Sequence, residues 1–222
     1  MFESYLPILL IAVVLGAITQ GFVNSSYRRY SKVALATGQS GAEVARRMLD
    51  AEGLANVTIE RVPGRLTDHY DPRANVLRLS EDVYGGRSVA AAGVAAHEAG
   101  HAVQHARGFA AARLRQALVP TAQIGSSLAF PLIFAGLFVN FTGLITLGVV
   151  MFAAAVLFQI VTLPVEFDAS RRALAALNTG GMLPVEQVRG ARTVLTAAAL
   201  TYVAATLIAV MQLLYYLGLS RR

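Results

Sequence analysis

Long apolar runs without charged side chains are the feature that most constrains this chain. Residues 4–26 contain no Asp, Glu, Lys or Arg. A helix of this length, rising 1.5 Å per residue, crosses about 30 Å of hydrocarbon. The apolar region 117–163 is interrupted only around Asn140, which predicts a transmembrane hairpin of two helices, and the uncharged run 194–219 predicts a fourth span.

The composition supports a membrane location for these runs. Hydrophobic residues make up 55% of the chain and charged residues only 14%, whereas about a quarter of the residues in soluble domains are charged. The net charge of +6 is typical of membrane proteins whose cytoplasmic loops collect Lys and Arg. We therefore expect the lipid bilayer as a partner and no nucleic acid.

Four crossings place residues 24–116 and 165–193 on one side of the membrane. These two regions hold 17 of the 19 Lys and Arg residues, and only Arg221 and Arg222 lie on the other side. Because Lys and Arg in short flanking loops mark the cytoplasm, we expect this side to be cytoplasmic. The terminal Arg pair is the one contrary feature.

The polar segment 33–115 predicts a small α+β unit between spans 1 and 2. Ser40 and Glu43 have the spacing of a capping box, which predicts a helix that ends near Gly53. Residues 57–62 and 75–79 alternate between apolar and polar side chains, which predicts two strands. Ser88 then caps a helix of about twenty residues. The fold class is thus a mostly α integral membrane protein with about four transmembrane helices.

The predicted helix after Ser88 contains His97-Glu98-Ala99-Gly100-His101. Two His residues four positions apart share one helical face and can bind a single metal ion. Glu98 points about 100° away, where its carboxylate reaches a metal-bound water without becoming a ligand. The alternative is a helix with ordinary polar His residues. The preceding segment 89–96 is small and apolar, so burying these groups without a metal would be costly.

Several residues are candidates for the third metal ligand. The chain has no Cys, which leaves His, Asp and Glu. His105 lies about 12 Å along a straight helix from His97, so we expect it near the site or on the surface rather than on the same ion. Glu166 and Asp168 follow the third span, where a carboxylate is costly without a partner. Together with His69, these two carboxylates remain the candidates.

These motifs resemble the bacterial membrane-bound neutral zinc metallopeptidases often called YugP-like. The resemblance is carried by four blocks of sequence: Leu66-Thr67-Asp68-His69-Tyr70-Asp71-Pro72, Leu77-Arg78-Leu79-Ser80, Ala95-Ala96-His97-Glu98-Ala99-Gly100-His101-Ala102-Val103-Gln104, and Leu163-Pro164-Val165-Glu166-Phe167-Asp168-Ala169-Ser170. More distantly, the layout is similar to the HtpX and CAAX-prenyl-protease class of gluzincins. In that class a Glu-Phe-x-Ala-Asp motif after the hairpin supplies the third ligand.

The resemblance implies specific roles for the matching residues. It implies Zn²⁺ held by His97, His101 and Glu166, with Glu98 as the general base. Ser170 stands where the distant class has an Asp that supports a ligand His, and Asp168 is an alternative source of that support. The region 33–115 would be the zincin-like catalytic segment, and 164–193 would hold the third ligand and a connecting helix.

The resemblance also implies where a peptide or protein substrate binds. In gluzincins, the strand that precedes the metal-binding helix pairs with the substrate backbone. By similarity, the substrate-binding strand of this chain would consist of Asn75, Val76, Leu77, Arg78 and Leu79. Two interpretations remain open for His69 and Tyr70. They donate hydrogen bonds to the oxyanion of the reaction, or they belong to a turn stabilised by neighbouring Asp side chains.

We therefore expect a zinc-dependent endopeptidase in the bacterial inner membrane with its active site on the cytoplasmic side. A non-catalytic zinc-binding scaffold is the main alternative. A channel or transporter ranks last, because none of the four predicted spans contains an ionisable Asp, Glu, Lys, Arg or His. Two His and one carboxylate also suit manganese or iron, but a helix-borne site of this type favours zinc.

Overall fold

The computed structural model describes residues 2–220, so Arg221 and Arg222 lie outside the described residues. Helices dominate, and the strands of a small sheet follow the first long helix in the chain and precede the other three, which confirms the predicted fold class. The elements in chain order are α1 Phe2–Tyr30, α2 Gly41–Ala51, β1 Thr58–Val62, β2 His69–Asp71, β3 Val76–Ser80, α3 Glu81–Tyr84, α4 Val89–Ala106, α5 Ala110–Phe138, α6 Thr142–Thr179 and α7 Val185–Ser220.

Four helices in residues 2–220 are long and apolar enough to cross a membrane: α1, α5, α6 and α7. They contain the apolar runs predicted from the sequence, and the chain is an integral membrane protein. Helices α6 and α7 are much longer than a span requires, at 38 and 36 residues. Segment 164–193 accordingly consists of the end of α6, a short turn and the beginning of α7.

The chain divides into two compact units. One, the apolar unit, comprises Met1–Thr19, Ala110–Pro164 and Leu200–Arg222. Its buried cluster is made of aliphatic, small and aromatic side chains from α5, α6 and α7: Ala129, Ile133, Ile145, Val149, Phe152, Val156 and Tyr216. Gly148 allows α5 and α6 to approach closely, since a Cβ there would lie 2.7 Å from the carbonyl oxygen of Ala129.

The other, the polar unit, comprises Gln20–Phe109 and Val165–Ala199. Its core combines α2, α4 and the sheet with the end of α6 and the beginning of α7. Helix α4 contributes mostly alanines to this core, and small side chains let neighbouring backbones come close. Gly100 is the tightest case on this helix, because a Cβ there would lie 2.7 Å from the carbonyl oxygen of Ala169 on α6.

Side-chain caps fix the beginnings of α2 and α4. The Ser40 backbone N–H donates to Glu43 Oε2 at 2.6 Å, and the Glu43 N–H donates to Ser40 Oγ at 3.3 Å. This reciprocal pair is the predicted capping box, and Gly53 follows the helix with φ of 75°. Ser88 Oγ accepts from the N–H of Ala91 at the beginning of α4. Both predicted helix starts are confirmed.

The sheet has three strands where the sequence predicts two. In the described chain its order is β1-β3-β2, with β1 parallel and β2 antiparallel to β3. The additional strand, β2, contains His69 and Tyr70, for which the sequence left open a role at the oxyanion or in a turn. Asp71, at the end of β2, accepts hydrogen bonds from the backbone N–H groups of Arg73 and Ala74. Its side chain therefore stabilises the tight turn into β3.

Candidate metal centre

Helix α4 presents two imidazoles on one face. His97 and His101 are one turn apart, and their ring centroids lie 4.8 Å apart in an edge-to-face arrangement. The two side chains are 14% and 15% exposed, so the pair is largely enclosed but still in contact with solvent. The surrounding helix positions are buried small residues. The two rings therefore lie on a helix whose other buried positions are mostly small and apolar.

Helix α6 brings a carboxylate to the same place. Glu166 Oε2 lies 3.3 Å from His97 Nε2 and 3.7 Å from His101 Nε2. The three candidate ligand atoms all lie within 4.8 Å of one another. Zinc holds nitrogen and oxygen ligands at about 2.0–2.2 Å, so tetrahedral ligands are about 3.3 Å apart. The spacing of this group fits a single small ion.

The Glu166 carboxylate is buried without a hydrogen bond to its inner oxygen. Its side chain is only 4% exposed, and Oε2 has no hydrogen-bond partner among the described residues. Its nearest polar neighbours are the two imidazole Nε2 atoms, and a buried carboxylate oxygen that faces unprotonated nitrogens costs several kcal/mol. A cation between this oxygen and the two ring nitrogens would remove that cost. The donor set of two imidazoles and one carboxylate is one that catalytic zinc accepts.

Gln104 fixes the orientation of His101. His101 Nδ1 lies 3.0 Å from Gln104 Oε1, and Gln104 Nε2 donates to the carbonyl oxygen of Val165 at 2.7 Å and to Asp168 Oδ2 at 3.0 Å. Because both partners of the amide nitrogen are acceptors, the amide orientation is determined and its oxygen faces the imidazole. His101 must then carry its proton on Nδ1, which directs the Nε2 lone pair toward Glu166.

Asp168 is directed away from the imidazoles. Its carboxylate accepts from Gln104, Arg171 and Arg172, with Arg172 Nε at 2.6 Å from Oδ2. The structure therefore brings Glu166, and not Asp168, beside the two His residues. Asp168 instead anchors Gln104, so it acts on His101 through one intervening side chain.

Ser170 contacts the other imidazole. Its Oγ lies 3.0 Å from His97 Nδ1. Ser170 is four residues after Glu166, so both project from the same face of α6, whereas a residue two positions on projects from the opposite side. Helical periodicity thus explains why Ser170 contacts a candidate ligand directly and Asp168 does not.

Glu98 lies half-buried next to this group. Burial opposes a charged imidazole, but the carboxylates of Glu166 and Glu98 outweigh burial and raise the pKa of His101. Burial also raises the pKa of Asp68, although hydrogen bonds from Ser80 act in the opposite direction, and the charge of Glu98 adds to the rise. The charge of the Glu98 carboxylate therefore affects the pKa of a residue on α4 and of a residue in the loop before β2.

Comparison with known proteins identifies the family. A family whose description reads "Putative neutral zinc metallopeptidase" matches residues 5–221. The chain belongs to this family of neutral zinc metallopeptidases. It is also 47% identical over 194 residues to "Putative membrane protease YugP" of Bacillus subtilis (strain 168), and the match covers 87% of this chain and 86% of the relative. No solved structure matches the chain.

Three other candidate residues lie outside the group of three ligand atoms. Tyr70 donates its hydroxyl proton to Asn75 Oδ1 at 2.9 Å and lies 3.0 Å from His105 Nδ1. His105 is exposed, as expected from its distance along the helix. His69 is also exposed, and its Nδ1 donates to the carbonyl oxygen of Thr67. A transition-state role for His69 or Tyr70 stays a prediction.

The predicted substrate strand requires correction. Residues Asn75, Val76, Leu77, Arg78 and Leu79 were expected to offer a free edge, but β3 is the central strand of the sheet. Val76 to Arg78 pair with β1 on one side and with β2 on the other. Backbone groups already paired on both sides are not available to a peptide. In the described part of the chain, β1 and β2 are the edge strands.

Sequence reasoning missed the supporting role of Gln104. It lies three residues after His101 and so on the same side of the helix, which is a signal the sequence offers. Its other two partners, Val165 and Asp168, are 61 and 64 residues away along the chain. Only the packing of α4 on α6 reveals these contacts.

Proposed function

We propose that this chain is a zinc-dependent membrane endopeptidase in which His97, His101 and Glu166 hold the ion. The observation that carries the proposal is the convergence of three ligand atoms within 4.8 Å around a buried Glu166 oxygen without a hydrogen bond. Membership of the zinc metallopeptidase family supports zinc as the ion.

Glu98 is the general base of the proposed reaction. When bound, zinc supplies a positive charge that acidifies a neighbouring water and polarises the scissile carbonyl. Glu98 accepts a proton from that water while the water oxygen attacks the carbonyl carbon, and the carboxyl group then returns the proton to the departing amine nitrogen. The peptide C–N bond breaks, one water is consumed, and Glu98 ends the cycle ionised.

The surrounding residues orient the ligands. Gln104 holds the proton of His101 on Nδ1, and Ser170 contacts Nδ1 of His97, so both Nε2 atoms remain free for the ion. Partners of this kind raise ligand basicity and fix ring orientation. Asp168 contributes by anchoring Gln104.

We further propose that β2 pairs with the substrate backbone in place of β3. Strand β2 is an edge of the sheet, and main-chain pairing at an edge binds extended peptides with little sequence demand. Tyr70 on this strand would donate to the oxyanion only by releasing its present acceptor, Asn75. His69 has its Nδ1 engaged with Thr67, which leaves Nε2 as its available nitrogen.

The distribution of charge supports an active site on the cytoplasmic side of the membrane. Because the chain contains no Cys, a single introduced Cys is the one thiol of the chain that a maleimide can label, and its labelling shows on which side of the membrane it lies. Arg73→Cys should react with a membrane-impermeant maleimide only after intact cells are permeabilised. Asn140→Cys, in the turn between α5 and α6, should react before permeabilisation. The opposite labelling pattern would reverse the proposed orientation.

Glu98→Gln tests the proposed reaction. The variant should retain zinc while kcat on labelled casein falls by about 10²- to 10⁴-fold, which is the range of a general base. Glu186→Gln is the matched control, since Glu186 is 79% exposed in a surface pair with Arg189, and it should change neither quantity. Undiminished cleavage by Glu98→Gln would exclude Glu98 as the base. Wild type that binds zinc and cleaves nothing would indicate a scaffold.

A further inference from the structure

A cavity of about 360 Å³ lies at the end of α1, within the polar unit. Its size is within the range of small-molecule sites. Polar and basic side chains line it together with a few small residues: Tyr27, Ser31, Lys32, Ala34, Arg65, Asp82, Gly86, Arg87 and Ser88. It shares no residue with the candidate metal centre, so it is a separate candidate binding site.

The cavity carries an excess of positive charge. Three of its lining side chains are cationic, and Asp82 is the one anionic member. Arg65 lies 3.5 Å from Asp82 and balances it. Lys32 and Arg87 form no ion pair in the described part of the chain, although Arg87 donates to the carbonyl oxygen of Gly38. The lining therefore carries a net positive charge, although the Glu43 carboxylate also interacts electrostatically with Arg87.

The position of the cavity along α1 indicates where its ligand comes from. Tyr27 belongs to the last turn of the candidate span Tyr5–Tyr30, and Lys32 follows that span by two residues. The apolar run of the helix ends near Val23, which leaves about 10 Å of helix for residues 24–30. This length covers the headgroup layer, about 5–7 Å thick on each side of the hydrocarbon. Tyr and basic residues at that depth are typical of the membrane interface.

We propose that this cavity binds the phosphate group of an anionic phospholipid. Lys32 and Arg87 would neutralise the phosphate, and the hydroxyl group of Tyr27 offers a further donor. The Ser31 hydroxyl would donate to the phosphate only by releasing its present acceptor, the carbonyl oxygen of Arg28. Basic pockets beside transmembrane helices on the cytoplasmic side bind lipid headgroups in this way. A free phosphate has the same chemistry, but the cavity begins where a membrane span ends, which favours a ligand already held at that depth.

Native mass spectrometry of the full-length protein in detergent tests the proposal. Phosphatidylglycerol and phosphatidylcholine are titrated separately, and the Kd of the first bound lipid is measured for each. Wild type should prefer phosphatidylglycerol. Lys32→Gln/Arg87→Gln should weaken phosphatidylglycerol binding by roughly 30-fold, about five- to sixfold per cation, and leave phosphatidylcholine binding unchanged.

Two controls separate site binding from general charge. Arg47→Gln/Arg73→Gln removes the same charge from exposed positions that do not line the cavity, and it should bind phosphatidylglycerol like wild type. Lys32→Arg keeps the charge and should also bind normally. Equal binding of both lipids by wild type, or equal loss in both double variants, would overturn the proposal. Displacement of the lipid by excess inorganic phosphate would overturn the lipid assignment in favour of a free anion.

Discussion

Gln104 should determine how tightly the metal is held, although it is not a ligand. Its side chain is 1% exposed and accepts the proton of His101 Nδ1 at 3.0 Å. Gln104→Met keeps an unbranched side chain of similar size and removes the acceptor. Water cannot replace that acceptor at a buried position, so an unsatisfied N–H remains whenever His101 presents Nε2 to the ion.

The magnitude follows from the burial of this hydrogen bond. Leaving a buried donor without a partner costs about 1–3 kcal/mol, and 1.4 kcal/mol corresponds to about a tenfold change in affinity. We therefore expect zinc Kd to rise by about 10- to 100-fold, the range found for outer partners of metal ligands. The lost bond to the Val165 carbonyl weakens the protein with and without metal, so it contributes little to this difference.

Ser170→Ala provides the comparison, because it removes the partner of the other imidazole. Ser170 is half-buried, so water can take the place of its hydroxyl, and we expect less than about a tenfold rise in Kd.

Both variants can be assayed by competition with a fluorescent zinc chelator, with thermal melting in detergent as a test of folding. If folded Gln104→Met binds zinc within about threefold of wild type, the reasoning about His101 is refuted, since the expected loss is at least about tenfold.

Two further predictions concern the ligands themselves. Carboxylates raise the pKa of His101 above its ordinary value of 6.5, so a proton on this imidazole competes with zinc. The affinity for zinc, measured by chelator competition, should therefore increase with pH by up to about tenfold per pH unit until that pKa is passed. In Glu98→Gln the increase should level off at lower pH, since one of the carboxylates that raise the pKa of His101 is gone; an unchanged pH profile would contradict the assignment. Metal analysis of purified variants should show zinc lost from Glu166→Ala and retained at reduced affinity by Asp168→Ala, and the reverse pattern would make Asp168 the ligand.

Features that depend on neighbours in sequence were predicted correctly. The four apolar runs reappear as long helices because hydropathy over some twenty residues is a local property. The capping box of Ser40 and Glu43 spans one turn, so it is visible in four letters of sequence. The two imidazoles share a face because a helix repeats every 3.6 residues.

Features that depend on distant pairing were not predictable in the same way. The sequence shows that residues 75–79 form a strand, but it does not show on how many sides that strand is paired, and the order β1-β3-β2 makes it central. Strand β2 has only three residues, too few for an alternating pattern to be recognised.

The sequence by itself determined which candidate side chains this protein offers: a membrane chain without Cys, two His and a Glu on one helix, and carboxylates at the end of the third span. The tertiary structure decided which carboxylate faces the imidazoles and which side chains support them. Ser170 contacts His97 across 73 residues of chain, and Gln104 reaches Val165 across 61. The physical reason is that helical periodicity fixes the face on which a side chain lies, whereas packing between helices fixes what that face meets.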